Sequence, residues 1–242
     1  MPSLSIVVPL YNEEGNVAAL VQEITAALPG EMFELILVDD CSTDATVANI
    51  PSLPFVRVLE FTENRGQSAA MHAGIMAASA PVIALLDGDL QNDPHDIPAL
   101  LARLHEGFDL VCGYRARRRD TAFKKLQSRI ANFVRSRFTG DGVRDTGCTL
   151  KVMRTPCREC LILFRGMHRF IPALIKGGGY QITEMPVNHR ARVSGVSKYG
   201  FGNRALRATT DLLGVCWLLS RQSRYQFKSP EPAETMLPTQ PD

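Results

Sequence analysis

Long hydrophobic runs are missing from this 242-residue chain. No stretch approaches about 18 uninterrupted apolar residues, so no segment reads as a membrane span. The amino terminus passes from Met1-Pro2 straight into a strand-like segment, with neither a basic leader nor a small-residue cleavage site, which argues against a secretory signal. Cysteine is sparse and scattered (Cys41, Cys112, Cys148, Cys157, Cys160, Cys216), so the six read as reduced thiols rather than a disulfide framework. Cys157-x-x-Cys160 has no second pair at zinc spacing, and the five histidines are dispersed, so neither points to a metal site. Internal repeats are absent too. What remains is an ordinary globular composition, 45% hydrophobic and 21% charged, which excludes a wholly disordered or collagen-like chain and fits one large domain with appendages.

Net charge is only +2, but it is unevenly spread. From Gly113 to Arg144 ten basic residues face two acidic ones, a local excess of +8 that leaves the remainder near −6. Such a block suits an anionic ligand or surface, or a solvated helix face.

The first 90 or so residues alternate strand and helix patterns. Leu4–Leu10, Phe33–Val38, Val56–Leu59 and Pro81–Leu86 read as strands, with helical spacing running to Leu28 and over 66–80 between them. This alternation predicts an α/β fold, a mostly parallel Rossmann-like sheet with helices on both faces. Ligands of such sheets sit at the carboxyl ends of the strands. Asn12-Glu13, Asp39-Asp40 and Asp87-Gly-Asp89 stand at three of these ends. Helix capping accounts for any one of them. Three acidic clusters together would repel one another unless a cation or a donor-rich ligand sat among them.

The second half reads as a helix over 96–105, a strand over 110–113, a basic amphipathic helix over 121–138, a helix over 161–176 ended by three glycines, an edge strand over 180–187 because of Pro186, a polar basic loop over 188–198 and an increasingly apolar helix over 203–220. From Gln222 onward four prolines and few apolar residues predict a disordered tail.

The strongest chemical signal is Leu85-Leu-Asp-Gly-Asp-Leu-Gln91. Two carboxylates spaced i, i+2 with an amide at i+4 leave a buried strand where they can converge on one hard cation. Mg²⁺ takes one or two carboxylates together with phosphate oxygens and water.

The chain resembles family 2 inverting glycosyltransferases of the GT-A fold in the order Val8-Pro-Leu-Tyr-Asn-Glu13, Val38-Asp-Asp-Cys-Ser-Thr-Asp44, Asn64-Arg-Gly-Gln67 and Asp87-Gly-Asp-Leu-Gln-Asn-Asp-Pro94. Gly113-Tyr-Arg115, Ser128-Arg-Ile-Ala-Asn132, Asp145-Thr-Gly-Cys148 and Arg192-Val-Ser-Gly-Val-Ser-Lys198 resemble the polyprenyl-phosphate branch, which includes dolichol-phosphate mannose synthases and bacterial undecaprenyl-phosphate sugar transferases. The resemblance covers about residues 4–200. It implies a GT-A domain over 1–200, with a nucleotide-sugar half (1–95) and an acceptor half (96–200), followed by an interface helix over 201–221 and the tail over 222–242.

The resemblance also implies site residues. Pro9, Tyr11, Glu13, Val38 and Asp40 would line the base and ribose. Asp87 and Asp89, with Gln91, would hold the sugar nucleotide and Mg²⁺ or Mn²⁺. Arg115, Arg129, Arg192 and Lys198 would hold the phosphates of donor and acceptor. Four fixed cations suit a diphosphate meeting a monophosphate. Asp145 matches a catalytic carboxylate of related enzymes, or orients Arg129 or Lys198. The implied partners are a nucleotide-sugar donor, a polyprenyl phosphate acceptor and the inner face of the cell membrane, approached from the cytoplasm as a peripheral protein, through a homo-oligomer or a membrane subunit. No nucleic acid is expected, because acidic strand ends repel a polyanion. The competing readings are a family 2 transferase acting on a saccharide hydroxyl and a non-catalytic nucleotide-binding module.

Overall fold

The computed structural model describes residues 1–116, 133, 135–190 and 202–221, with the side chains of 202–208 excepted. Seven strands form one sheet: β1 (Leu4–Leu10), β2 (Phe33–Asp39), β3 (Val56–Glu60), β4 (Val82–Leu85), β5 (Leu110–Arg115), β6 (Lys151–Arg154) and β7 (Ile182–Val187). Their order is β3-β2-β1-β4-β6-β5-β7. All neighbouring pairs are parallel except those made by β6, which runs antiparallel to both β4 and β5. The expected mostly parallel α/β sheet is therefore present.

Alternation along the strands builds two cores. Leu4, Ile6, Val8 and Leu10 of β1, with Leu35 and Leu37 of β2, pack on one face against α1 (Val17–Ala27) and α3 (Ile97–His105). Val7, Ile36, Val38, Ile83 and Leu85 point the other way, against α2 (Gln67–Ala77) and α4 (Ile171–Gly177). Each such Val, Leu or Ile contributes about 1.5–3 kcal/mol by leaving water. Gly74 lets α2 press onto β1: a Cβ there would stand 2.3 Å from Val7 Cγ1. The last helix, α5 (Gly202–Arg221), joins this second core through Val215, with Leu212, Leu218 and Leu219 packed beside it, while Leu213 and Trp217 stay exposed.

Several sequence expectations are corrected. The apolar positions of 161–176 recur about every three residues, but helix forms only over Ile171–Gly177. Two 3-10 turns, Thr155–Cys160 and Met167–Arg169, bury Cys157 and Met167 at that spacing, and Gly166 at φ 92° blocks a continuous helix. Strand β6 has no counterpart in the sequence reading. Ser42 and Asp44, at the end of β2, accept the N–H groups of Asn12 and Glu14 and so fasten this turn to the loop after β1. The helix expected over 121–138 is described only at 133 and 135–139, where Phe133 and Phe138 are exposed and Arg135 is buried.

Candidate active site

The carboxyl ends of β1, β2, β4 and β5 open on one edge of the sheet, and their loops are stitched together. Asp40 N–H donates to Leu10 O at 2.9 Å. Asn12 N–H donates to Ser42 Oγ at 2.9 Å and Thr43 N–H to Asn12 Oδ1 at 2.8 Å. Glu13 N–H donates to Thr46 Oγ1 at 2.7 Å. Asp39 accepts the N–H of Ser42 at 2.8 Å and its hydroxyl at 2.5 Å.

Among the described residues, three without Gly's freedom sit at positive φ: Asn12 (53°), Cys41 (61°) and Leu90 (61°). Cys41 and Leu90 directly follow acidic strand ends that the sequence marks, and Asn12 opens the third. Left-handed backbone at Cys or Leu is costly and persists only where its surroundings over-determine it. Sequence reasoning found the strand ends; it had no signal for this shared backbone geometry.

The nucleotide-side residues are placed as follows. Pro9 and Val38 are register partners on β1 and β2. Val38 is buried and stands over Gly74, so it offers this edge only its backbone. Tyr11 and Glu13 are partly exposed, and the Glu13 carboxylate accepts the Asn16 amide at 2.6 Å. Asp40, 3% exposed, takes the N–H groups of Arg65 (2.7 Å) and Gly66 (2.8 Å), so its carboxylate anchors the Asn64–Gly66 loop.

Asp87 and Asp89 come together at the end of β4. Gly88 lies tight against β1, where a Cβ would come within 2.7 Å of Leu10 Cδ2 and 3.2 Å of Pro9 O. Asp87 accepts a hydrogen bond from the Gln67 amide at 2.8 Å and another from the Thr149 side chain. Asp89 Oδ1 accepts Gln91 N–H at 3.2 Å. Burial first, and the Asp89 charge second, push the Asp87 carboxyl up to about 6, against the Thr149 hydrogen bond and the charges of Lys151 and Arg115. Gln67, Thr149 and Lys151 carry no role in the sequence reading. Lys151 is a lone charge in an apolar run, 1% exposed, and its ammonium donates to Cys148 O. That pattern alone signals a buried, partnered cation.

Arg115 ends β5 and meets Asp145 in a two-pronged pair. Its Nε donates to Oδ2 at 2.7 Å and a terminal nitrogen to Oδ1 at 2.8 Å, while Arg115 N–H also reaches Oδ2 at 3.3 Å. Gly147 N–H donates to Oδ1 at 3.2 Å, and a Cβ on Gly147 would stand 2.8 Å from that terminal nitrogen. Asp145 thus holds the guanidinium of Arg115. Arg129, Arg192 and Lys198, the other expected phosphate ligands, lie outside the described residues.

Two further arginines of the basic stretch are paired with carboxylates, and of the two only Arg144 finds its partner outside the stretch. Arg135 pairs with buried Asp141 and donates to Val143 O at 2.7 Å, and Arg144 pairs with Glu184 on β7. Arg144 also lies over the Tyr114 ring at 4.3 Å.

Among the described residues no group of three or more His, Cys, Asp or Glu would hold a metal unaided. The donor set of Asp87 and Asp89 fits a hard divalent cation that takes its other oxygens from phosphate and water. A cation there would also relieve the repulsion between the two carboxylates. A pH dependence follows. Because the Asp87 pKa is raised from 3.8 to about 6, the folded metal-free protein holds a proton there that the unfolded chain has lost, and this contribution to stability fades as pH rises through that window. A divalent cation bound there would compete with the same proton. The melting temperature is expected to rise more with added Mn²⁺ above about pH 6 than near pH 5. An equal Mn²⁺ effect at about pH 5 and 7.5 would refute this.

Comparison with known proteins bears on the same residues. The model of the family described as Glycosyl transferase family 2 matches residues 5–162. A dodecaprenyl-phosphate galacturonate synthase of Rhizobium johnstonii is 44% identical over 232 residues, covering 91% of this chain and 68% of that protein. An undecaprenyl-phosphate 4-deoxy-4-formamido-L-arabinose transferase of Salmonella paratyphi A is 37% identical over 205 residues, covering 82% of this chain and 63% of its own length. The chain therefore spans roughly two thirds of these relatives. Among solved structures, glucosyl-3-phosphoglycerate synthase from Mycobacterium tuberculosis in complex with Mn²⁺, UDP and phosphoglyceric acid superposes with a TM-score of 0.67 at 19% identity, covering 89% of this chain and 78% of that one. At that identity the likeness establishes the fold, which is GT-A.

Proposed function

The chain belongs to glycosyl transferase family 2, and from that premise we propose that it transfers a sugar from a nucleotide-sugar to a polyprenyl monophosphate, with inversion, using Mg²⁺ or Mn²⁺. The observation that carries this reading is the pairing of two kinds of charge at one sheet edge. Asp87 and Asp89 form an acidic pair suited to a metal-bound diphosphate, and within their electrostatic reach stands Arg115, a guanidinium pre-aimed by Asp145. The names of the 44% and 37% identical relatives supply the acceptor class.

Asp87 and Asp89, with Gln91, would hold the cation, which when bound neutralises charge building on the departing diphosphate. The rest falls to the chain. Gln67 and Thr149 hold the Asp87 carboxylate by hydrogen bonds, and the charge of Lys151 favours its ionised form. Arg115 would meet phosphate oxygens with a guanidinium that Asp145 already orients, which lowers the ordering cost of that contact. An acceptor phosphate, with a second pKa near 6, is mostly dianionic at neutral pH and attacks without surrendering a proton. No general base is then required, and Asp145, both of whose oxygens accept from Arg115, serves as a positioning residue. Arg129, Arg192 and Lys198 would complete the phosphate contacts.

The division into a GT-A domain over 1–200, an interface helix over 201–221 and a tail over 222–242 belongs to the same proposal. So does peripheral attachment to the cytoplasmic membrane face. No described helix is long and apolar enough to cross a membrane. Phe133, Phe138, Leu213 and Trp217 stay exposed, and Arg137 and Arg221 beside them suit anionic lipid.

The test is a donor screen. The purified chain, with Mn²⁺ and undecaprenyl phosphate in liposomes, is offered labelled UDP-glucose, UDP-galacturonate, UDP-linked amino sugars and GDP-mannose in turn. Label is expected to enter the lipid phase with one donor and to stay in water when metal is chelated. Release of free sugar with no lipid-phase label from any donor would overturn the acceptor assignment.

A further inference from the structure

Strand β7 leaves the sheet at Val187, and the three residues that follow run along the loop after Asp89. Asn188 donates its N–H to Asp96 Oδ2 at 2.7 Å and its amide to Oδ1 at 3.1 Å. His189 forms an isolated antiparallel bridge with Asn92. Arg190 N–H donates to Gln91 O at 2.9 Å. The Arg190 guanidinium then divides between two elements, one terminal nitrogen on Glu23 of α1 at 2.6 Å and the other on Asp93 at 2.8 Å. Asp93 in turn caps the turn at Pro94–Asp96 through His95 N–H. Asn92, 3% exposed, accepts Asp87 N–H at 3.1 Å. Hydrogen bonds thus run without a break from the 188–190 segment into the backbone of the acidic pair.

These contacts are an unusual investment for stability alone. The Arg190 pairs are partly exposed, and such ion pairs contribute only about 0–1 kcal/mol each. What they supply is geometry, because a planar fork holds two carboxylates on separate elements in fixed directions, which a rotating ammonium does not.

We propose that Arg190 is a positioning residue that fastens the loop after Asp89, through Gln91 and Asp93, to α1 at Glu23 and to the end of β7, so that Asp87 and Asp89 keep the spacing a cation needs. This rests on the reading of Asp87 and Asp89 as a cation site.

The experiment uses the full chain and two readouts. Hydrogen–deuterium exchange without ligand follows the amides of 87–93, with those of β1 as an internal reference. Calorimetry follows the binding of UDP in the presence of Mn²⁺. Arg190→Gln is expected to speed exchange over 87–93 by about tenfold, to leave β1 unchanged, and to weaken UDP binding by about tenfold. Arg190→Lys, which keeps the charge and loses the fork, is expected to recover less than half of that loss. Asp93→Asn is expected to match Arg190→Gln, and the double variant to add nothing further. UDP affinity within twofold of wild type in Arg190→Gln, or unchanged exchange over 87–93, would overturn the proposal. A wild-type chain that binds neither Mn²⁺ nor UDP would overturn the cation-site reading and this proposal with it, an outcome that differs from equal binding by wild type and variant.

Discussion

Asp89→Asn is expected to reduce sugar transfer by about a thousandfold or more while shifting the melting temperature by no more than about 2 °C. The two halves of this expectation have separate causes. Asp89 is partly exposed and accepts a hydrogen bond from Gln91 N–H, which an asparagine oxygen can still receive. Its charge, however, is the second cause of the raised Asp87 pKa, so removing it relieves repulsion in the metal-free protein and lowers that pKa toward the ordinary carboxylate value. The metal-free variant should therefore be as stable as wild type or slightly more so at neutral pH. The cost falls where charge develops on the leaving diphosphate, because one of two carboxylates that would hold the cation is gone. Lipid-phase label and a thermal melt on the same preparation check both halves. A variant that keeps more than a tenth of wild-type turnover would exclude Asp89 from the metal site, and one that fails to fold would show that the loop needs its carboxylate structurally.

The second large effect concerns Arg115 and Asp145. Either Arg115→Lys or Asp145→Asn is expected to lower kcat/KM by about a hundredfold, because the first keeps the charge without the fork and the second leaves the fork unaimed. The informative quantity is the double variant. If Asp145 acts only through Arg115, the two changes remove one arrangement, and the double variant should be about as slow as either single one. If Asp145 were a general base, the losses would multiply, and Asp145→Asn would also flatten the acid limb of the pH–rate profile. The two-pronged pair at 2.7 and 2.8 Å, with Gly147 N–H on the same carboxylate, supports the first outcome. Multiplying losses together with a flattened acid limb would assign proton transfer to Asp145.

Part of this architecture is legible in one sequence because its cause is local. β-branched runs alternating with helical spacing over the first 90 or so residues specify the parallel half of the sheet, in which β1, β2 and β3 pair with their neighbours in the chain and β4 returns to lie beside β1. The acidic strand ends Asp39-Asp40 and Asp87-Gly-Asp89 are visible for the same reason, as short motifs directly after apolar runs. Helix α5 shows itself by period alone.

What tertiary structure decided lies where partners are distant in the chain. Strand β6 exists because Lys151–Arg154 finds β4 and β5 on either side, and a four-residue run containing a lysine gives no local sign of that. Asp145 becomes the holder of Arg115 across 30 residues, and Arg144 pairs with Glu184 across 40. The loop after Asp89 is held by Arg190 from about 100 residues further on. Motif order along the chain therefore determined family, sheet and the residue types of the site. Only folding settled which of those charges pair with one another, because a charge's role depends on what is buried beside it, and burial is a property of the assembled sheet.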